Sequence, residues 1–134
     1  MKIFKKYKIE NIAIELGGDI RVSGGMTNTI PWTITLDEKI KKTITNMNKT
    51  IKLFSGGIAL SSSYIKKSPD NTIFKHHIIN PKELKSMNEY KFTLVTGKDS
   101  TTCDALATAI FNMNQNEIKN IKHKFNDYII ETYN

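Results

Sequence analysis

The chain predicts an α+β fold, a mainly antiparallel sheet packed against two carboxyl-terminal helices, and three observations predict it. Segments rich in β-branched and aromatic residues follow one another as far as Thr96, most of them separated by glycine or proline turns. Two stretches with helical spacing come after them, and strands followed by helices is the α+β order. The 134 residues suffice for one hydrophobic core but hardly for two, so residues 1–134 read as a single domain.

Between Ile9 and Leu16, apolar Ile12, Ile14 and Leu16 alternate with Asn11, Ala13 and Glu15, the period of a half-buried strand. Gly17-Gly18 breaks it, because paired glycines open backbone angles closed to other residues. Ile20 to Ser23 then reads as a continued or new strand, Gly24-Gly25 as a turn, and Pro31 to Leu36 as another strand. Leu36 to Asn48 carries Ile40, Ile44 and Met47 at helical spacing and reads as a loop with a helical turn. Thr50–Phe54 and Gly57–Ser61 look like a hairpin turning at Ser55-Gly56. Pro69-Asp70-Asn71 supplies a turn before the extended segment Thr72–Lys75. Tyr90–Thr96 is the clearest strand, and it leads into a helix starting near Ser100. Beyond a break at Asn114–Asn116, Ile118, Ile121, Phe125, Tyr128, Ile129 and Thr132 read as one amphipathic helix against the sheet.

Composition removes several function classes. The 39% hydrophobic and 25% charged fractions are those of an ordinary globular protein, and no 18-residue apolar run could span a bilayer. The net charge of +7 comes almost wholly from lysine, Arg21 being the sole arginine. These lysines are scattered instead of forming a block interleaved with aromatics, which argues against a nucleic-acid surface and for positive charge serving a cofactor phosphate. Cys103, alone among small apolar residues, reads as a buried free thiol, a nucleophile only if a base stands near it. Met1–Lys6 is basic but has no following apolar region or cleavage site, so the sequence reads as cytoplasmic unless a leader precedes it.

The chemistry concentrates in Thr101–Phe111, where one carboxylate and one hydroxyl stand out on a small, apolar stretch. In a helix, Asp104 and Thr108 are four residues apart and present their oxygens on one face. A hard cation such as Mg²⁺ takes ligands of that kind. Asp104 also fits a Thr101-x-x-Asp104 variant of the capping box, where the helix dipole favours an anion.

Four segments, taken in order, resemble the carboxyl half of the ApbE-type FAD:protein FMN transferases. Gly17-Gly18-Asp19-Ile20-Arg21 matches that family's Gly-Gly-[Asp/Glu]-x-Arg, and Ile58-Ala59-Leu60-Ser61-Ser62-Ser63-Tyr64 is similar to its Ala-Thr-Ser-Gly-[Asp/Asn]-Tyr. His76-His77-Ile78-Ile79-Asn80-Pro81 resembles its His-Ile-Ile-Asp-Pro, and Cys103–Ala109 its Asp-Ala-Leu-Ala-Thr-Ala. The resemblance spans roughly Lys5 to Met113, and family members are roughly twice as long as this chain.

The resemblance implies half of an ApbE-like fold and a reaction in which FMN passes from FAD to a threonine or serine hydroxyl of an acceptor protein, releasing AMP. It further implies Asp104 and Thr108 as Mg²⁺ ligands and His77 as the catalytic histidine beside the flavin phosphates. Gly17, Gly18, Asp19, Arg21, Ser61 and Ser62, with His77, become cofactor-binding positions, Asp19 and Arg21 being able to pair. His76, facing the other way on an extended segment, ranks below His77. Three departures stand out: Ser62 where the family has glycine, Ser63 where it has an acidic or amide residue, and Asn80 for aspartate. The upstream segment that supplies a third metal ligand has no counterpart. The implied partners are FAD, an acceptor protein, and either a separate amino-terminal half or a second copy. A non-catalytic flavin- or nucleotide-binding remnant and a basic interaction module without cofactor are the competing readings.

Overall fold

The computed structural model describes residues 2–36, 50–63, 76–86 and 89–134. Among these, helix α1 (Lys2–Lys6) precedes strands β1 (Ile12–Leu16), β2 (Asp19–Ser23), β3 (Trp32–Thr35), β4 (Thr50–Leu53), β5 (Gly56–Ser62), β6 (Ile79–Asn80), β7 (Lys85–Ser86) and β8 (Phe92–Gly97). Helices α2 (Ser100–Phe111) and α3 (Gln115–Lys124) follow, and β9 (Ile129–Tyr133) closes the order. The principal sheet runs β1-β2-β5-β8-β9 with every neighbour antiparallel. This is the predicted α+β architecture.

β1 and β2 form a hairpin whose last pair is Leu16 with Asp19, leaving Gly17-Gly18 as a two-residue loop. Both glycines have positive φ, +66° and +101°, as the primed turns matching strand twist require. Ile12 and Ile14 are half-buried as their alternation predicts, but Leu16 is 80% exposed because it sits at the hairpin tip, beyond the packed layer.

Alternation along the central strands builds two cores. On one face Ala59, Val95 and Ile130 meet Cys103, Leu106, Ala107, Ile110 and Phe111 of α2 and Ile118 of α3. On the other, Ile58, Phe92 and Leu94 meet Leu36 and Ile51, with Ile34 and Leu53 packed against them. Each fully buried large side chain stabilises the fold by about 1.5–3 kcal/mol relative to exposure, so α2 is fixed chiefly by Leu106, Ile110 and Phe111. Buried Thr93 is satisfied by donating its hydroxyl to the Ala107 carbonyl at 2.7 Å, which pins β8 to α2.

Three expectations are corrected. Thr50–Leu53 pairs with β3, not with β5, and Gly56 (φ +148°) makes the corner between sheets where a hairpin turn was expected. The amphipathic pattern from Ile118 onward is not one helix: α3 ends at Lys124, and residues 129–133 pair along the open edge of β8, Phe92 to Tyr133 through Thr96 to Ile129. The β-branched Ile129, Ile130 and Thr132 favour the sheet, where Phe92 and Tyr133 also stack at 4.4 Å. Finally, Asp99, not Thr101, caps α2, accepting from the Thr102 N–H at 2.8 Å. The helical turn expected within 37–49, the turn at Pro69–Asn71 and the extended segment Thr72–Lys75 lie outside the described residues.

Candidate functional site

β5 is longer than its neighbour β2. The last pair between them is Ile20 with Ile58, after which β2 turns away at Gly17-Gly18 and leaves the edge of Leu60–Ser62 unpaired among the described residues. A cavity of about 720 Å³ fills that gap, and Gly17, Gly18, Asp19, Ser61, Ser62, His77, Asp104 and Thr108 all line it. Its remaining wall includes Glu15 and the β3 end, Ile34–Leu36. Thr108 and Ser61 approach to 3.2 Å between hydroxyl oxygens across the helix–sheet seam.

Arg21 is the exception among the sequence-derived positions. Its side chain donates through Nη1 to the Lys98 carbonyl, just before α2, and is not among the residues lining the cavity, nor is it paired with Asp19. Strand parity puts Arg21 opposite Gly57, where the start of α2 lies directly above the sheet. Glu15, conversely, was not anticipated. It accepts from the Gly18 N–H at 2.8 Å, a contact a three-residue spacing across a glycine turn could have suggested.

The two histidines separate as adjacent residues of an extended segment do. His77 is exposed and lines the cavity, whereas His76 is buried edge-on to Phe111 at 5.2 Å and accepts from the Ile78 N–H through Nδ1. Asn80 caps the turn after it, its Oδ1 accepting from Lys82 and Glu83 N–H groups at 2.8 and 3.2 Å. Its Nδ2 donates to the Asn112 carbonyl, tying that turn to the end of α2. Cys103 is excluded as a nucleophile: burial pushes its thiol up to about 12, and it donates to the Gly57 carbonyl at 3.4 Å.

Electrostatically the cavity is the inverse of the chain. Glu15, Asp19 and Asp104 line it with no lysine or arginine among the described residues, in a protein of net charge +7. Asp19 is held above the usual carboxylate range by desolvation first and then by the charges of Asp104 and Glu15. Carboxylate and hydroxyl oxygens with surplus negative charge fit a hard divalent cation. Among the described residues no three His, Cys, Asp or Glu side chains converge on one metal position, so Asp104 and Thr108 would supply part of a coordination shell. A second cavity, about 580 Å³, lies across α2 between Ile79–Lys82 and Ala105, Ala109 and Met113, and it shares Asp104 and Thr108 with the first.

The fold and cavity define an α+β domain with an acidic, oxygen-lined cleft where a hairpin leaves the sheet. The chain belongs to the ApbE family, whose model matches residues 1–130. It is 30% identical over 108 residues to a FAD:protein FMN transferase of Vibrio cholerae serotype O1, covering 80% of this chain and 32% of that protein. The ApbE protein of Thermotoga maritima superposes with a TM-score of 0.70 at 23% identity, over 92% of this chain and 42% of its own. The flavin transferase ApbE of Vibrio cholerae gives 0.70 at 21% identity, over 98% and 45%. The chain thus spans between about a third and just under half the length of these relatives.

Proposed function

We propose that this chain contributes one wall of a flavin transferase site, in which FMN passes from FAD to a threonine or serine hydroxyl of an acceptor protein and AMP is released. The observation that carries this reading is the convergence of Asp104, Thr108 and His77 on one acidic cavity at the edge of β5. Asp104 and Thr108 would hold Mg²⁺, which when bound neutralises charge on diphosphate oxygens. The Asp19 and Glu15 carboxylates add to the field that draws a cation in and repel a bare dinucleotide phosphate. Among the described residues nothing lies within 4 Å of an added Cβ on Gly17 or Gly18, which leaves room for a ligand to lie against the hairpin backbone. Ser61 and Ser62 line the sheet side, and His77, exposed at the mouth, is positioned to donate to a phosphate oxygen or accept the acceptor hydroxyl's proton.

The relatives are more than twice as long as this chain, and the resemblance implies that their further polypeptide contributes to the site. A separate chain corresponding to that part, or a second copy of this one, would complete the pocket here. Flavin binding without transfer is the second reading, favoured by Ser62 and Ser63 standing where the resemblance expects glycine and an acidic or amide residue.

The test mixes the purified chain with FAD, Mg²⁺ and a threonine-bearing acceptor protein, with and without a candidate amino-terminal half, and reads covalently attached flavin by in-gel fluorescence. Transfer that Asp104→Ala abolishes is the expected outcome. Normal transfer by that variant removes the metal assignment, and FAD binding with no transfer in any arm leaves the second reading.

A further inference from the structure

We infer that Arg21 and Tyr128 are positioning residues that grip the start of α2 from two sides and thereby set Asp104 and Thr108 against the Gly17-Gly18 hairpin. This rests on the flavin transferase reading for its consequence, though not for its geometry.

Neither side chain lines the cavity. Arg21 shares β2 with Asp19, two residues away, and donates to the carbonyl of Lys98, just before α2. Tyr128 reaches the same point from the segment before β9, donating its hydroxyl to Asp99 Oδ2 at 2.6 Å. Asp99 uses Oδ1 to accept from Thr102 N–H at 2.8 Å, and its own carbonyl accepts from Cys103 N–H at 3.2 Å. The Tyr128 ring occupies the space above Gly97, where an added Cβ would lie 2.0 Å from it. Lys98 stands 5.8 Å over that ring and pairs with Asp127 at 3.3 Å. Four consecutive residues, Gly97–Ser100, are therefore held by β2, by β5 through Gly57 and by the approach to β9.

Asp104 follows the cap by little more than one helical turn, so a shift of the cap is carried straight into the cavity wall. A helix whose start is fixed by two charge-assisted bonds rotates less than one docked by apolar packing alone, because hydrogen bonds are directional and apolar contacts are not. In phosphoryl-type transfer, a misplacement of about 1 Å costs on the order of 100-fold in rate.

The experiment compares the chain with its Arg21→Ala, Arg21→Lys and Tyr128→Phe variants, the last of which keeps the ring over Gly97 and loses only the hydroxyl. Amide hydrogen exchange is read residue by residue, and FMN transfer is measured as kcat and KM for FAD with the amino-terminal half supplied. Exchange at Thr102, Cys103 and Asp104 is expected to quicken about 10-fold in Arg21→Ala and Tyr128→Phe, with Ile110 and Phe111 unchanged, and kcat to fall about 10-fold at constant KM. Arg21→Lys, which retains a donor and charge, should recover most of both. Unchanged protection at residues 102–104, uniform loss along α2, or an unchanged kcat in an enzyme that transfers FMN overturns the assignment. If the exchange pattern holds and no form transfers FMN, the transferase reading fails while the grip on α2 stands.

Discussion

The two walls of the cavity are built by opposite means. The α2 wall starts at a crowded point where an added Cβ on Gly57 would lie 2.3 Å from the Ser100 nitrogen, while the hairpin wall ends in Gly17 and Gly18, with no atom of the described residues within 4 Å of either added Cβ. Their aspartates differ in the same sense. Asp99, fed by the Tyr128 hydroxyl and the Thr102 N–H, is held below the usual carboxylate range, whereas desolvation and the charges of Asp104 and Glu15 hold Asp19 above it. At its anchor the α2 wall satisfies its charge internally. In the cavity, Asp19 and Glu15 of the hairpin face Asp104 of α2 and leave charge over, and that surplus is what a bound cation or a partner surface would relieve.

The comparison breaks most sharply at the braced wall. Phe111→Ala, which removes a ring 1% exposed between α2 and the sheet, should cost about 3–5 kcal/mol in chemical denaturation. Gly57→Ala comes next, at about 3 kcal/mol, because its new methyl would strike the Asp99 and Ser100 backbone, which cannot swing aside as a side chain can. At the open wall, Gly17→Ala meets no atoms and pays only for its φ of +66°, about 1 kcal/mol by thermal melting. A cost for Gly17→Ala equal to that for Gly57→Ala would erase the distinction between the walls.

The smallest effect carries the opposite sign. With its folded pKa raised, Asp19 destabilises the fold at neutral pH, and this cost fades as pH falls through the raised value towards that of the unfolded chain. Asp19→Asn should therefore raise Tm slightly at pH 7, with the gain shrinking in acid. Asp99 behaves inversely: its depressed pKa contributes stability above the ordinary carboxylate value that is lost as pH drops through the folded one. A Tm gain for Asp19→Asn that is the same at every pH would show that the carboxylate's surroundings do not matter.

What the sequence made legible was local. Gly17-Gly18 announced the end of its strand though not the hairpin, the run Tyr90–Thr96 the strand found at Phe92–Gly97, and the four-residue spacing of Asp104 and Thr108 their shared face. Positions matched by motif, Arg21 excepted, came together at one cavity even though nothing in spacing alone relates Ser61 to Thr108. The misses were non-local. Whether residues 129–133 continue a helix or complete a sheet depends on the free edge of Phe92–Gly97, more than thirty residues earlier, which no window of periodicity contains. Arg21 could be assigned to a face of its strand, but what crosses that face, the carbonyl of Lys98, is known only once α2 has been docked. Thr101 and Asp99 both satisfy helix-start chemistry, and the Tyr128 hydroxyl contacts the second.

The contact between Tyr128 and Asp99 also orders events during synthesis. Residues 100–111 leave the ribosome before the tyrosine that completes their anchorage, so a nascent chain can hold helical structure there without a finished cleft. A chain terminated near Asn126 would keep the residues of both α2 and α3 but lose Tyr128 and β9, so the brace at the start of α2 should be the first thing missing from it.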